Sequence, residues 1–413
     1  MNLPVQTPDF AEAERAAYRD TLQVLPAIVE RARLTLCGFC ACVDKTFDLH
    51  VVAPHLLASD DADANRLGRE LRRRAAAGIG GEIRIDWPAG PAWLDRFVDQ
   101  APTVGGTSAQ AANVLAILGA PTLLALEERG VEQLVALHPE IRLAQGTDIV
   151  PARSAAPRAG GRRPAHHIFA FTEGRPLADI VPKRSTRVIL RFADDGLEHD
   201  PDFEHASVTL ARIAGAAILS GFNNIPEAER DESFAMARRT ALAWRAAGLA
   251  TIHLELGDYP QPELRALTLE RLAGGYTSLG MNINELGLLL PGDAPPEAKA
   301  RALAERLRIE RVAIHADDGA LCVTRGDPEC ERLALRMGCL LAATRAALGR
   351  PAPPRELPAD AEYRPTWRSR IAAESGWHTV TVSAPYLRHP KSTLGLGDTF
   401  VAGTSLVLGA LPA

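Results

Sequence analysis

The stretch STLGLGDTFVAGTSL, at residues 392–406, places an aspartate directly after two glycines at the start of an apolar segment. Glycine permits positive φ angles, and the first N–H groups of a helix have no partner within that helix. The amides of Gly395, Leu396 and Gly397 could therefore bind an anion, while the carboxylate of Asp398 accepts a proton. This chemistry suits phosphoryl transfer, although the four residues alone also fit a glycine turn with an Asp cap.

Two further acidic motifs come where predicted strands end. His253 and Glu255 lie on one face of a strand, because side chains alternate along it. Asn282 and Glu285 are three residues apart at a predicted helix start. Two carboxylates from neighbouring strand ends could hold a hydrated Mg²⁺, which prefers oxygen ligands. Asn282 and Glu285 also fit a capping box, and the residues alone leave both interpretations open.

Possible ligands of a neutral substrate occur earlier in the chain. Asp44 closes the strand-like run LCGFCACV and could accept two sugar hydroxyls, although an aspartate here is also a common turn residue. Gly105 and Gly106 precede an apolar helix, so their amides could bind a hydroxyl or an anion, or form an ordinary turn. The run CGFCAC contains one C-x-x-C. A zinc site would need a second ligand pair at suitable spacing, and none stands out, so we interpret these cysteines as small strand residues.

The elements that must position these residues alternate along the chain. From residue 165 onward, strand-like runs such as RVILRFAD and ATIHLELGD alternate with helical runs such as SVTLARIAGAAILSG and EAKARALAERLR. Such alternation predicts βαβ crossovers and a largely parallel sheet that is covered on both faces. Ligands of these sheets bind beyond the carboxyl ends of the strands, where most of the motifs are expected.

Composition limits the classes of partner. Of the 413 residues, 46 are Lys or Arg and 51 are Asp or Glu, which gives a formal net charge of −5. A chain without a basic field is not expected to bind nucleic acid. No apolar run of about 18 residues predicts a membrane helix, and the N-terminal residues lack the basic-then-apolar order of a signal peptide. We therefore expect a cytoplasmic enzyme or binding protein.

The motifs H-x-E, N-x-x-E and G-x-G-D, in this order, resemble the ADP-dependent glucokinase and phosphofructokinase family of the ribokinase superfamily. The likeness extends over most of the chain through CACVDK, GGTSAQAANVLAILGA, HHIFAF and SGFNNI. It implies a ribokinase-like α/β fold, in which a large Rossmann-like domain holds the nucleotide and a smaller lid closes over a sugar. It also implies that ADP is the phosphoryl donor, that AMP is released and that Mg²⁺ is required.

The resemblance implies a division of the chain between these two domains. Residues 1–44 and 185–413 would form the large domain, with the helix at 105–119 packed on it. Residues 45–104 and 120–184 would form the lid.

The resemblance also gives each motif residue a role. Asp398 would be the catalytic base, and the amides from Gly395, Leu396 and Gly397 onward would form the anion hole. The expected metal-site residues are Glu255 and Glu285 as ligands, with His253 and Asn282 as supports. The residues expected to face the sugar are Asp44, Gly105, Gly106 and Asn223. The arginines considered for the phosphates are Arg187, which is favoured, and Arg191.

The residues on the sugar side that differ from the family pattern indicate which sugar accepts the phosphoryl group. Where the family has asparagines, this chain has Cys40 and Cys42, and a thiol cannot replace the hydrogen bonds of an amide. Glu82, in GGEIRID, resembles the lid glutamate of the glucokinase branch. A carboxylate there would repel a sugar phosphate, so glucose is favoured over fructose 6-phosphate. A phosphate pocket could instead be formed by Arg162, Arg163, Lys183 and Arg184.

Two other functions stay open at this stage. An ATP-dependent ribokinase-type sugar or nucleoside kinase would share Asp398 and the anion hole. A non-catalytic, kinase-like sensor would have no need for three carboxylates that converge on one phosphate site. A Rossmann dehydrogenase is disfavoured, because no G-x-G-x-x-G follows the first strand.

Overall fold

The computed structural model describes residues 8–98, 101–158 and 165–411. Its helices are α1 (Pro8–Glu30), α2 (Leu49–Leu57), α3 (Ala62–Ala77), α4 (Gly90–Leu94), α5 (Thr107–Leu118), α6 (Val131–Ala136), α7 (Pro201–Leu210), α8 (Arg230–Ala246), α9 (Pro262–Arg271), α10 (Ile283–Leu289), α11 (Pro296–Leu307), α12 (Pro328–Leu348) and α13 (Leu396–Ala410). Its strands are β1 (Leu34–Gly38), β2 (Cys42–Asp48), β3 (Gly81–Arg84), β4 (Thr103–Gly105), β5 (Thr122–Leu124), β6 (Arg142–Gln145), β7 (Asp148–Pro151), β8 (His166–Phe171), β9 (Thr186–Arg191), β10 (Ala214–Leu219), β11 (Thr251–Glu255), β12 (Ser278–Asn282), β13 (Arg311–Ala316), β14 (Gly319–Thr324), β15 (Arg370–Glu374) and β16 (Trp377–Ser383).

The larger sheet has the strand order β15-β16-β14-β13-β12-β11-β10-β1-β5-β6-β7. Its neighbouring strands from β13 to β6 pair in parallel, and antiparallel strands lie at both ends. Successive residues of one strand, such as Leu36 and Cys37, belong to different buried apolar clusters. The sheet is therefore covered on both faces, as the alternation of elements predicts.

The smaller sheet has the order β3-β9-β8-β2-β4 and mixes parallel with antiparallel pairs. Its own apolar core includes Leu67 and Leu71 from α3 and Phe169 from β8. Four of the expected site residues, Asp44, Glu82, Gly105 and Arg187, lie on strands of this sheet.

Membership of the two sheets differs from the expected division of the chain. Residues 122–151, expected in the lid, contribute β5, β6 and β7 to the larger sheet. Residues 186–191, expected in the large domain, form β9 of the smaller sheet. Sheet membership depends on pairing with strands that are distant in sequence, as when β5 pairs with β1, and a boundary drawn along the sequence does not contain this information.

The run LCGFCACV is not one strand. β1 ends at Gly38 and β2 begins at Cys42, and the two strands belong to different sheets. Asp44 therefore lies inside β2 instead of closing the first strand. Its backbone pairs with His166 in the sheet, and this excludes the interpretation of Asp44 as a turn residue.

The run SVTLARIAGAAILSG is only half helical. It contains the end of α7 and then β10, every residue of which is buried. A short apolar run that is buried all round carries no periodicity that would distinguish a strand from a helix, and this is why the sequence alone predicted a helix here.

The two C-terminal helices approach each other closely where two glycines meet. A Cβ atom on Gly403 of α13 would lie 2.8 Å from the Cα atom of Gly338 of α12. This approach brings Arg345, near the end of α12, over the turn that precedes α13. Among the helices of the described residues, none is both long enough and apolar enough to cross a membrane.

Candidate active site

The turn before α13 has the conformation that its glycines allow. Gly395 is the N-cap residue of α13 and has a φ of 67°, in the left-handed region that favours glycine. Asp398 is the third residue of the helix and is half-buried. The N-cap is therefore Gly395, and Asp398 does not take the capping position that the simplest interpretation gave it. The amides of the first turn and the positive end of the helix dipole lie beside the Asp398 carboxylate.

A buried arginine that the motif analysis missed packs against this turn. A side chain at position 395 would collide with the guanidinium of Arg345. That guanidinium donates hydrogen bonds to Gln110 Oε1 at 3.0 Å and Thr399 Oγ1 at 3.1 Å. Its Nε atom is buried and has no hydrogen-bond partner in the described part of the chain. The sequence signal was an arginine inside the otherwise apolar run CLLAATRAALG.

Both arginines considered for the phosphates lie on β9, but they face different groups. Burial lowers the pKa of Arg187, and the opposing influence of Asp398 is the largest among its neighbouring carboxylates. Arg191 instead lies 3.2 Å from Glu82 in a buried ion pair. The charge of Asp398 thus acts on Arg187, whose buried Nε has no hydrogen-bond partner among the described residues.

Asp44 is buried on β2 among polar groups of the smaller sheet. Burial raises its pKa to about 6; His166 lowers the pKa and Asp398 raises it further. His166, directly opposite Asp44 on β8, belongs to the quoted run HHIFAF but was not assigned a role from sequence. Burial alone would lower the pKa of His166, but the carboxylate of Asp195 raises it to about 9.

The two glycines of the GGTSAQ segment lie beside Asp44. Gly105 pairs with Cys42 across the sheet, and a Cβ there would overlap the Asp44 carboxylate. Gly106, with a φ of 83°, is the N-cap of α5, and a Cβ on it would lie 2.8 Å from Cys40 Sγ. Gly105 therefore excludes a side chain next to Asp44, and Gly106 excludes one next to Cys40.

The turn after β11 connects the two sheets. The amide of Glu82 donates to Asp258 Oδ2 at 3.3 Å. Asn223 donates through Nδ2 to the carbonyl of Asp258 at 2.9 Å. Asn223 thus packs against the Asp258 turn, and its contact with the group around Asp44 is indirect, through Asp258 and Glu82.

Glu255 lies at the centre of the acidic motifs. It accepts hydrogen bonds from His253 Nε2 at 2.8 Å and from His315 Nε2 at 3.2 Å. Burial would raise the pKa of Glu255, but these two hydrogen bonds lower it. His315, near the end of β13, was missed in the sequence. A Cβ on Gly397 would lie 3.1 Å from His315 Cε1, so this histidine links the H-x-E motif to the glycine turn.

Glu285 and Asn282 form a complete capping box. Asn282 Oδ1 accepts from the amides of Asn284 and Glu285, each at 2.9 Å, and Glu285 Oε2 accepts from the amide of Asn282 at 2.8 Å. Burial raises the pKa of Glu285 to about 8, and the nearby charge of Glu255 acts in the same direction. The charge of Glu255 therefore reaches Glu285. The capping box uses only one of the two carboxylate oxygens of Glu285.

The basic residues considered for a sugar phosphate are mostly peripheral. Lys183 and Arg184 are exposed, and Arg184 lies 3.3 Å from Asp317. Arg162 and Arg163 lie outside the described residues. The groups whose pKa values are influenced by the charge of Asp398 instead come from four separate elements: Asp44 from β2, Arg187 from β9, His315 from β13 and Arg345 from α12.

Comparisons with known proteins agree with this architecture. A family model described as the ADP-specific Phosphofructokinase/Glucokinase conserved region matches residues 63–407. An ADP-dependent kinase in complex with fructose-6-phosphate and ADPβS has a TM-score of 0.78 at 15% identity, over 98% of this chain and 99% of that chain. A phosphofructokinase from Pyrococcus horikoshii OT3 with AMP has a TM-score of 0.69 at 18% identity, over 91% and 97%. These likenesses confirm the predicted ribokinase-like α/β fold.

Proposed function

Because this chain belongs to the ADP-specific phosphofructokinase/glucokinase family, we propose that it transfers the β-phosphoryl group of ADP to a sugar hydroxyl and releases AMP. The match to the family model confirms the family that the short motifs predicted. The observation that carries the proposed reaction is the geometry of the glycine turn, where the guanidinium of Arg345 packs against Gly395 at the start of α13 and the charge of Asp398 acts on both Arg345 and Arg187. Two cations and a helix N-terminus beside one carboxylate suit a transferring phosphoryl group and its acceptor.

In this proposal, Asp398 accepts the proton of the attacking sugar hydroxyl. The amides of Leu396 and Gly397 and the guanidinium groups of Arg187 and Arg345 stabilise the charge on the equatorial oxygens of the phosphoryl group. These donors are preorganised, because Gly395 holds the turn and Thr399 and Gln110 hold Arg345. Preorganised donors cost little reorganisation during transfer, and this is the main source of their catalytic effect.

Glu255 and Glu285 are the proposed Mg²⁺ ligands. Their oxygen atoms fit the preference of Mg²⁺, and the charge of Glu255 helps to raise the pKa of Glu285, a repulsion that a divalent cation would relieve. His253 and His315 orient Glu255, while Asn282 holds Glu285 at the helix start. When bound, the metal would supply positive charge next to the phosphates of the donor.

Glucose is the acceptor that we favour. The expected sugar side contains the carboxylates of Asp44 and Glu82, and the structure adds Asp195 beside His166; carboxylates accept hydrogen bonds from hydroxyl groups and repel a phosphate. The buried arginine next to them, Arg191, already faces Glu82. A second candidate is fructose 6-phosphate, because the similar kinase with a TM-score of 0.78 is described in complex with that sugar. The exposed Lys183 and Arg184 would then be available to its phosphate.

The test is AMP release from ADP and Mg²⁺ in the presence of glucose, fructose 6-phosphate, ribose or a nucleoside, with ATP as a parallel donor. AMP formed only with glucose supports the proposal, and AMP formed only with fructose 6-phosphate supports the second candidate. Turnover with ATP but not with ADP would contradict the donor and indicate a ribokinase-type kinase. Lack of turnover with both donors would contradict catalysis and indicate a kinase-like sensor.

A further inference from the structure

Three potential metal ligands meet on the smaller sheet, outside the proposed Mg²⁺ site. Cys42 Sγ lies 3.4 Å from His166 Nδ1 and 3.7 Å from Asp44 Oδ1, and the histidine nitrogen lies 3.8 Å from the same carboxylate oxygen. Zinc binds sulfur at about 2.3 Å and nitrogen or oxygen at about 2.0 to 2.2 Å, which separates tetrahedral ligand atoms by about 3.3 to 3.6 Å. The observed triangle is close to one face of such a tetrahedron.

The three side chains are fixed by the sheet. Cys42 and Asp44 are two residues apart on β2, so they project from one face, and Asp44 pairs directly with His166 of β8. On the other side of β2, Gly105 pairs with Cys42. A Cβ on Gly105 would lie 2.6 Å from Cys42 Sγ and would also overlap the Asp44 carboxylate. The absence of a side chain at this position leaves space beside two of the three ligand atoms.

A carboxylate orients the histidine. His166 Nε2 lies 2.7 Å from Asp195 Oδ2, and donation to that carboxylate leaves Nδ1 directed towards Cys42 and Asp44, where a bound metal ion would replace the Nδ1 proton. Histidines that bind a metal commonly donate their second ring N–H to a carboxylate in this way. The cluster therefore has a ligand set and the supporting hydrogen bond that such sites use.

We propose that Cys42, Asp44 and His166 bind one Zn²⁺ ion, with water in the fourth position. A set with one thiolate and one imidazole selects zinc over magnesium, because magnesium prefers oxygen ligands. Since Asp44 is a proposed sugar ligand, the bound ion competes with the sugar. This competition, unlike the metal site itself, rests on the proposed function. The site thus makes the kinase sensitive to zinc through Cys42.

Cobalt is the probe, because a Co²⁺ ion bound to a thiolate has a charge-transfer absorption that carboxylate and histidine ligands do not give. The full chain, freed of metals and kept in saturating Mg²⁺, is titrated with Co²⁺ and then with Zn²⁺. We expect one equivalent of the thiolate band and its displacement by Zn²⁺. Saturating Mg²⁺ and the sulfur band together exclude signals from the site at Glu255. A wild-type chain without this band overturns the inference.

Variants locate the ion. Cys42→Ser removes the band, whereas Cys330→Ser, which removes a more accessible thiol on α12, retains it. Asp195→Asn keeps all three ligands and weakens zinc binding by about 10- to 100-fold, the usual cost of losing such a supporting carboxylate. This variant also provides a test if Cys42→Ser does not fold. An unchanged band in Cys42→Ser, or unchanged zinc affinity in Asp195→Asn, contradicts the assignment.

Kinetics separate the two proposals. In wild type, Zn²⁺ raises the sugar KM and leaves kcat at saturating sugar unchanged, and Cys42→Ser loses this zinc dependence whatever its activity without zinc. A thiolate band in a chain that releases no AMP would support the metal site and contradict the proposed function. AMP release by a chain without the thiolate band would support the proposed function and contradict the metal site. Binding with no effect on KM would contradict the competition.

Discussion

Three carboxylates of the candidate site differ because of their neighbours. Glu255 accepts two histidine hydrogen bonds, which lower its pKa despite burial. Asp44 is buried among polar groups, and its pKa rises to about 6. Asp398 stands at a helix start and acts on two arginines. The same functional group is thus suited to hold a cation, to accept hydroxyl groups or to take a proton, and the environment decides which.

Asp398→Asn tests the assignment of the base. We expect kcat to fall by about 10²- to 10⁴-fold, the usual contribution of a general base, while ADP affinity is kept because Arg187 and Arg345 are retained. Steady-state AMP release and ADP titration by calorimetry measure the two quantities. Asp293→Asn, at an exposed position on a loop, is the matched control and should behave as wild type. Turnover that stays near the wild-type rate would show that Asp398 is not the base.

At the scale of elements, two helix starts carry the site, and they are built differently. α13 begins with a glycine in the left-handed region and without a side-chain cap. α10 begins with a capping box between Asn282 and Glu285. The first leaves its amides available to a ligand, and the second uses them for its own stability.

Gly395→Ala tests the turn before α13. The left-handed conformation costs alanine about 1 to 2 kcal/mol, and the new Cβ also collides with Arg345. Gly146→Ala isolates the first cost, because Gly146 has a φ of 59° and nothing lies within 4 Å of its Cβ position. Urea unfolding should show the larger loss of stability for Gly395→Ala, together with loss of AMP release. Equal losses in the two variants would contradict the contact between Arg345 and the turn.

Glu285→Gln separates the cap from the metal. Glutamine also serves at this position of a capping box, so thermal stability should be kept, whereas loss of the charge should raise the Mg²⁺ concentration required for half-maximal turnover. Glu263→Gln, an exposed change in the first turn of α9, is the control for general charge effects. A lower melting temperature with unchanged Mg²⁺ dependence would favour a purely structural Glu285.

At the scale of the whole molecule, the proposed phosphate side takes residues from both sheets. Asp44 and Glu82 of the proposed sugar side are on the smaller sheet, and the same sheet contributes Arg187 to the phosphate side. The helix start at Gly395 packs with α12 on the larger sheet, and Asp258 connects the two through the amide of Glu82. We therefore propose that the smaller sheet acts as a lid whose position depends on such contacts.

Asp258→Ala tests this connection. Loss of one hydrogen bond between the sheets, worth about 1 kcal/mol, should raise the KM of the acceptor by about 5-fold and leave ADP affinity unchanged. Asp179→Ala is the control, because Asp179 pairs with Arg72 within the part of the chain that forms the smaller sheet. Steady-state kinetics and calorimetry measure both parameters. An equal change in KM for the two variants would contradict a specific role of the Asp258 contact.

The sequence by itself was sufficient to identify the three short motifs, the family and most of the helices and strands. These depend on residue spacing along a few turns or along one strand, as in G-x-G-D or H-x-E, and such spacing is present in the sequence whatever the fold does. The glycine turn could be recognised for the same reason, because the left-handed φ of Gly395 is a local requirement. Local periodicity did not predict β10 as a strand, because every residue of β10 is buried and its apolar run shows no alternation.

Only the tertiary structure decided which distant residues meet. Cys42 and His166 are 124 positions apart and become neighbours through the pairing of β2 with β8. Arg345 reaches the glycine turn because Gly338 and Gly403 let two helices approach closely. Strand order and helix packing arise from the burial of the whole chain. The partners of Cys42 in the proposed zinc site are therefore not apparent from the spacing around CGFCAC, and only the folded sheet brings them together.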